Sequence, residues 1–75
     1  MTVKLKNKLK MISPREQQVL EQVSFGLTTK EIASNLFLSD HTIISHKKNL
    51  LEKLNAANSP ELVRKGFILG FLKLN

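Results

Sequence analysis

The chain has 75 residues, 41% of them hydrophobic, and a formal charge of +6. That length suits one small domain, and the charge points to a polyanion, either nucleic acid or an anionic membrane surface. The absence of cysteine excludes disulfides, thiolate metal sites and a cysteine nucleophile and fits a cytoplasmic protein, and no apolar run approaches the ~20 residues of a membrane span.

Residues 1–11, MTVKLKNKLKM, alternate apolar residues with Lys4, Lys6, Lys8 and Lys10 and hold no acid, so +4 of the charge lies there. The alternation fits an extended basic arm or linker better than a helix. A frayed, solvated terminus is the plainer alternative. No apolar stretch of about 7–15 residues follows, so the segment does not read as a signal peptide. Residues 12–75 make up the domain proper.

The first helix opens at ISPREQQVL. Ser13 can cap it, Pro14 fits its first turn, and Glu16 closes a capping box three residues on. Ile12 precedes the cap and can staple against the next turn. Val19, Leu20 and Val23 repeat at helical spacing, and Gly26 is a natural stop. Thr28 and Glu31 make a second capping box. Ile32, Ala33 and Leu36 form the apolar face of that shorter helix, and small Ala33 lets another helix come close. FLSD then breaks the pattern, with Ser39 as cap and Asp40 at the positive end of the next helix.

The third helix runs from about Asp40 to Leu54. Taking about 100° per residue from Ile43, Leu50 falls at about 340° and Leu54 at about 20°, which makes the buried stripe. Lys48 at about 140°, Glu52 at about 180° and Ser45 at about 200° lie well away from it, and Ile44 at about 100° sits on its shoulder. Asn55 can end this helix. Ser59 is the expected cap of the fourth, with Pro60 in its first turn. Its apolar residues form two stripes. Leu62, Gly66, Leu69 and Leu72 share one face, and Val63, Phe67 and Phe71 another, at i, i+4 and i+8. The second stripe is a candidate partner surface; one broad core taking both is the alternative.

The order of elements, with Pro14-Arg15-Glu16, Val19-Leu20, Gly26, Lys30-Glu31-Ile32-Ala33, Leu36, Ser39, Thr42-Ile43, His46 and Lys53-Leu54, resembles the LuxR/GerE-type helix-turn-helix domain of bacterial transcription regulators. The resemblance covers residues 12 to about 72. It implies an all-α fold, a compact four-helix bundle containing a helix-turn-helix behind a flexible basic N-terminal arm. It implies a sequence-specific DNA-binding transcription regulator whose third helix lies in the major groove. The fourth helix would hold a dimer on a palindromic site with half-sites about one helical turn apart. The chain would be a stand-alone regulator or the output domain of a longer response regulator.

On that pattern the base-reading positions fall on Ile44, Ser45 and Lys48. Lys48 can donate to guanine O6 or N7, Ser45 can donate or accept, and Ile44 can touch a thymine methyl. Ile44 stands where many relatives carry a basic residue. Phosphate contacts are expected from Thr42, Lys47 and Lys53, and from Thr29 and Lys30 at the start of the second helix. For any single lysine, plain solvation is the competing reading. Val63, Phe67 and Phe71 are the expected dimer interface.

No enzyme is expected. His46 flanks the buried stripe and reads as a packing residue or phosphate contact. His41 and His46 lack metal-ligand spacing, and Glu16, Glu31 and Asp40 read as capping acids. No cofactor, metal or small-molecule ligand is expected. The expected partners are double-stranded DNA, a second copy of the chain and RNA polymerase. Two other readings stay open: a protein-interaction module in which DNA is incidental, and, with little apolar area to support it, membrane binding by the arm.

Overall fold

Each helix begins where a side chain can satisfy its free N–H groups, and those caps divide the chain. The computed structural model describes residues 12–74. The basic segment 1–11 lies outside them. The described residues form α1 (Pro14–Ser24), α2 (Thr29–Leu36), α3 (Asp40–Lys53) and α4 (Ser59–Ile68), with no strand among them. Ser13 and Thr28 both form the reciprocal capping boxes expected, with Glu16 and Glu31. Ser39 caps α3 by accepting from the Thr42 N–H at 3.1 Å.

The cap of α4 is Asn58 rather than Ser59. Its Oδ1 accepts from the Glu61 N–H at 2.9 Å. The one-residue shift has a physical reason. With Asn58 as cap, the third helical residue is Glu61, whose carboxylate accepts from the Ala57 N–H at 3.0 Å. With Ser59 as cap it would be Leu62, which has no acceptor and is needed in the core.

The four helices end alike. Gly26, Phe37, Asn55 and Gly70 adopt φ of 78°, 58°, 54° and 86°. In each case the next residue reaches back to a carbonyl five or so residues earlier: Leu27 to Gln22, Leu38 to Ala33, Ala56 to Leu51, Phe71 to Gly66. This is the left-handed termination that satisfies the orphan carbonyls of a helix end.

Gly70 corrects the expected fourth helix. The chain turns there, so Phe71 and Leu72 are not on α4, and Val63, Phe67 and Phe71 do not form one helical stripe. Leu72 still reaches the core, 6% exposed, by folding back over Gly66. A Cβ on Gly66 would lie 2.7 Å from Leu72 Cδ1, so the bare glycine is what lets the tail lie flat on α4.

The core is one cluster drawn from every helix and the C-terminal tail: Val19, Leu20, Ile32, Ala33, Ile43, Leu50, Leu54, Leu62 and Leu72. α3 touches all three other helices. Its inward stripe is the one expected, with Ile43 and Leu50 at 0% and Leu54 at 5% exposure.

Phe37 is the odd termination, because its side chain is 94% exposed in a backbone region that disfavours any Cβ by roughly 1–2 kcal/mol. Replacing it with Gly removes that penalty and sacrifices almost no packing, although Gly gives back part of the gain in chain entropy. Phe37→Gly is expected to stabilise the domain by about 1 kcal/mol, a rise of roughly 4–8 °C in melting midpoint for a chain of this size. Thermal unfolding followed by circular dichroism checks this, and an unchanged or lower midpoint would show that Phe37 is held by packing instead.

Candidate nucleic-acid interface

The connection between α2 and α3 is Phe37, Leu38 and Ser39. The Leu38 N–H donates to the Ala33 carbonyl at 2.9 Å, and Ala33 is 3% exposed in the core cluster. These features fix the angle at which α3 leaves the turn. The Ser39 hydroxyl then serves twice, since its Oγ also lies 2.9 Å from Thr42 Oγ1.

With its stripe inward, α3 leaves the opposite side uncovered. Ile44 is 54% exposed, and Ser45 and Lys48 are exposed. All three are thus accessible from one side of the helix. His41, Asn49 and Glu52 are exposed beside them. By helical position these residues fill an arc from about 100° (Ile44) to about 240° (Asn49), measured from Ile43. Asn49 received no role in the sequence. The signal that could have raised it was there: a poor helix former placed mid-helix, off the buried stripe. His46 and Lys47 are half-buried on the flanks, and Lys47 runs its stem past the edge of the stripe.

The candidate phosphate ligands divide. Lys30 is exposed, and Thr29 and Thr42 are half-buried; Thr29 is the first residue of α2, where a helix offers free N–H groups. Lys53 is committed elsewhere. Its Nζ lies 2.8 Å from Glu16 Oε1, joining the end of α3 to the start of α1. Neither partner was linked to the other in the sequence. Glu16 also fills its expected capping role, accepting from the Ser13 N–H at 3.0 Å.

Glu16 is the buried ionisable group of the core region, 4% exposed. Burial pushes its pKa up. Hydrogen bonds from Lys53 and the Ser13 backbone, the Lys53 charge and the Ser13 hydroxyl together outweigh burial, so its carboxyl sits below the ordinary glutamate value. Among the described residues no cluster of His, Asp or Glu could hold a metal ion, and no helix is long and apolar enough to cross a membrane.

The second candidate surface lies at the far end of α1 and α4. Val63 and Phe71 are half-buried against the core, while Phe67 is 37% exposed. Phe67 and Phe71 line a shallow cleft with Phe25, Glu21 and Lys73.

The comparisons bear on this geometry. The model of a family described as bacterial regulatory proteins, luxR family, matches residues 10–65. The chain belongs to the LuxR family. It is 45% identical over 56 residues to the transcriptional regulatory protein UhpA of Escherichia coli (strain K12), covering 75% of this chain and 29% of that protein. It is 39% identical over 67 residues to the transcriptional regulatory protein FixJ of Rhizobium meliloti (strain 1021), covering 89% of this chain and 33% of FixJ. With the oxygen regulatory protein NreC of Staphylococcus carnosus (strain TM300) it shares 41% over 54 residues, 72% of this chain and 25% of NreC. The chain thus spans a third or less of the length of these relatives. The LuxR match takes in α1, α2, α3 and α4 as far as Lys65; Phe67 and Phe71 lie beyond it.

Because the folded Glu16 pKa is depressed, its pair contributes stability that is full above the unfolded value, about 4.3. That stability is lost as pH falls through the folded value. Glu16→Gln is expected to flatten the acid limb of the unfolding curve below about pH 4.3, and Lys53→Met to move the Glu16 titration upward. Carboxyl titration by NMR, alongside urea midpoints at pH 3 to 7, reads both. An identical acid limb in Glu16→Gln would show that other carboxylates govern acid unfolding.

Proposed function

We propose that the chain is a sequence-specific DNA-binding module of a transcription regulator, with α3 lying in the major groove. The observation that carries this reading is the two-sided character of α3. Ile43 and Leu50 are fully buried on one side, and Ile44, Ser45 and Lys48 stand uncovered on the other. Membership of the LuxR family adds weight, and UhpA and FixJ carry the description transcriptional regulatory protein.

In this reading Lys48 donates to guanine O6 or N7, Ile44 lies against a thymine methyl, and Ser45 discriminates weakly. Lys30, Lys47, Thr29 and Thr42 hold phosphates, and these contacts set position rather than sequence. Lys53 contributes mainly through its bond to Glu16. Residues 1–11 form a basic arm on the DNA backbone or minor groove, ahead of a binding domain over residues 12–75. The bound form is a two-fold dimer joined through α4 and the tail that follows it, with Val63, Phe67 and Phe71. The same module would serve either as a stand-alone regulator or as the output domain of a longer one, acting in the cytoplasm with RNA polymerase as a downstream partner.

Selection of bound duplexes from a random pool tests the core of this reading. A defined palindromic site is the expected outcome. On that site Lys48→Ala is expected to lose discrimination at one G·C pair per half-site by roughly 1 kcal/mol, the low end for a point-charge donor. Lys47→Ala is expected to weaken all duplexes alike and to flatten the log K against log salt slope by about 0.9 per subunit. Phe67→Ala is expected to turn cooperative two-copy binding into stepwise binding in a gel shift. Enrichment of no sequence above random competitor would sink the proposal.

A further inference from the structure

Of the asparagines in the described residues, three have structural work. Asn35 donates to Gln22 Oε1 at 2.9 Å. Asn55 takes the left-handed position that ends α3, and Asn58 caps α4. Asn49 has none. It sits in the interior of α3, exposed, and its carboxamide makes no hydrogen bond to any described residue. Asparagine is a poor helix former, because its side chain competes with the helix for backbone groups. An alanine or glutamate would serve the helix better at such a position.

The location of Asn49 supplies a reason. Ile44 at about 100°, Lys48 at about 140° and Ser45 at about 200° define a face centred near 150°, and Asn49 at about 240° lies just beyond Ser45, about 40° past that edge of the face. Ser45 is four residues earlier, one turn away on the same side of the helix. Turned toward a groove by Ile44 and Lys48, α3 therefore carries Asn49 along its opposite edge. A carboxamide offers a donor and an acceptor in one plane. That matches adenine in the major groove, where N7 accepts and the N6 amino group donates.

We infer that Asn49 is a further base-reading residue, recognising adenine beside the base pairs read by Ser45 and Lys48. The inference rests on the DNA-binding reading proposed above. A phosphate would use only the donor half of the carboxamide, so base reading and backbone contact respond differently to substitution.

The test uses the full chain and duplexes carrying each single base-pair change in the site that the unsubstituted chain selects. Asn49→Ala is expected to lose preference at one A·T pair by roughly five-fold or more, the lower part of the ~1–3 kcal/mol range for a bidentate contact. Discrimination elsewhere stays the same, and the thermal midpoint is not lowered. Asn49→Asp, which keeps only acceptors, is expected to move the preference at that pair toward cytosine, whose N4 amino group donates. An unchanged profile in Asn49→Ala overturns the inference. So does equal weakening on every duplex with a shallower salt slope, which would assign Asn49 to the backbone. If the unsubstituted chain selects no site, the DNA-binding reading fails first and takes this inference with it; the order of measurement separates the two failures.

Discussion

The burial of Ile43 and Leu50 along a single line of α3 is the constraint on which the rest of the domain depends. Both are fully enclosed, and complete burial of such side chains contributes about 1.5–3 kcal/mol each. They lie two turns apart on one side of the helix, so together they fix its rotation about its own axis as well as its place. A core helix held along a broad arc would have its polar side chains spread around the rim. Here one half of the helix is buried or half-buried and the other exposed, and Ile44, the neighbour of fully buried Ile43, is 54% exposed. The other three helices all touch α3, yet they approach from the same side. A domain this small has no further element with which to cover the other.

That rotation would mean little without a fixed departure angle, and the turn before α3 supplies it. Three of the four helices end at residues suited to the left-handed region, two glycines and an asparagine. The exception, Phe37, lies between α2 and α3. Its backbone is held there by the Leu38 N–H bonding back to the Ala33 carbonyl and by Leu38 packing against the core. The turn is therefore over-determined by its neighbours, which is the condition under which a strained residue persists. Ala33 is itself buried in the core cluster beside this turn, where a larger side chain would have to displace neighbours.

Much of this was legible in the amino-acid sequence, because caps and apolar spacing act locally. Ser13, Thr28 and Ser39 announce three helix starts by chemistry confined to one turn, and the stripe of Ile43, Leu50 and Leu54 follows from spacing alone. The failures came where two local signals competed or where distant residues met. Asn58 and Ser59 are both good caps, and the choice fell to the residue that puts Glu61 at the third helical position. Gly70 ends α4, but an apolar periodicity running on through Phe71 and Leu72 masked it. The pairing of Glu16 with Lys53 spans 37 positions, and no pattern along the chain indicates that the start of one helix will meet the end of another. Of the candidate site, the exposed face of α3 was readable from periodicity, whereas the ion pair that engages Lys53 with Glu16 was not.

That ion pair bears on the electrostatics of the proposed interface. Residues 12–74 carry eight bases and six acids, and one of the bases is bound to Glu16 within the domain. Asp40 and Glu52 are exposed on α3 itself, where each would repel a phosphate. On the DNA-binding reading the net attraction of the folded part for a duplex is consequently modest, and its exposed α3 face would supply the groups that distinguish bases. Residues 1–11 bring four lysines and no acid. On the DNA-binding reading the two parts divide the work: the arm supplies much of the salt-dependent, sequence-independent attraction, and α3 supplies discrimination. A weakly attractive reading head has a physical advantage, since strong phosphate binding would hold α3 equally well on every sequence. The bond between Lys53 and Glu16 also ties the end of α3 to the first turn of α1.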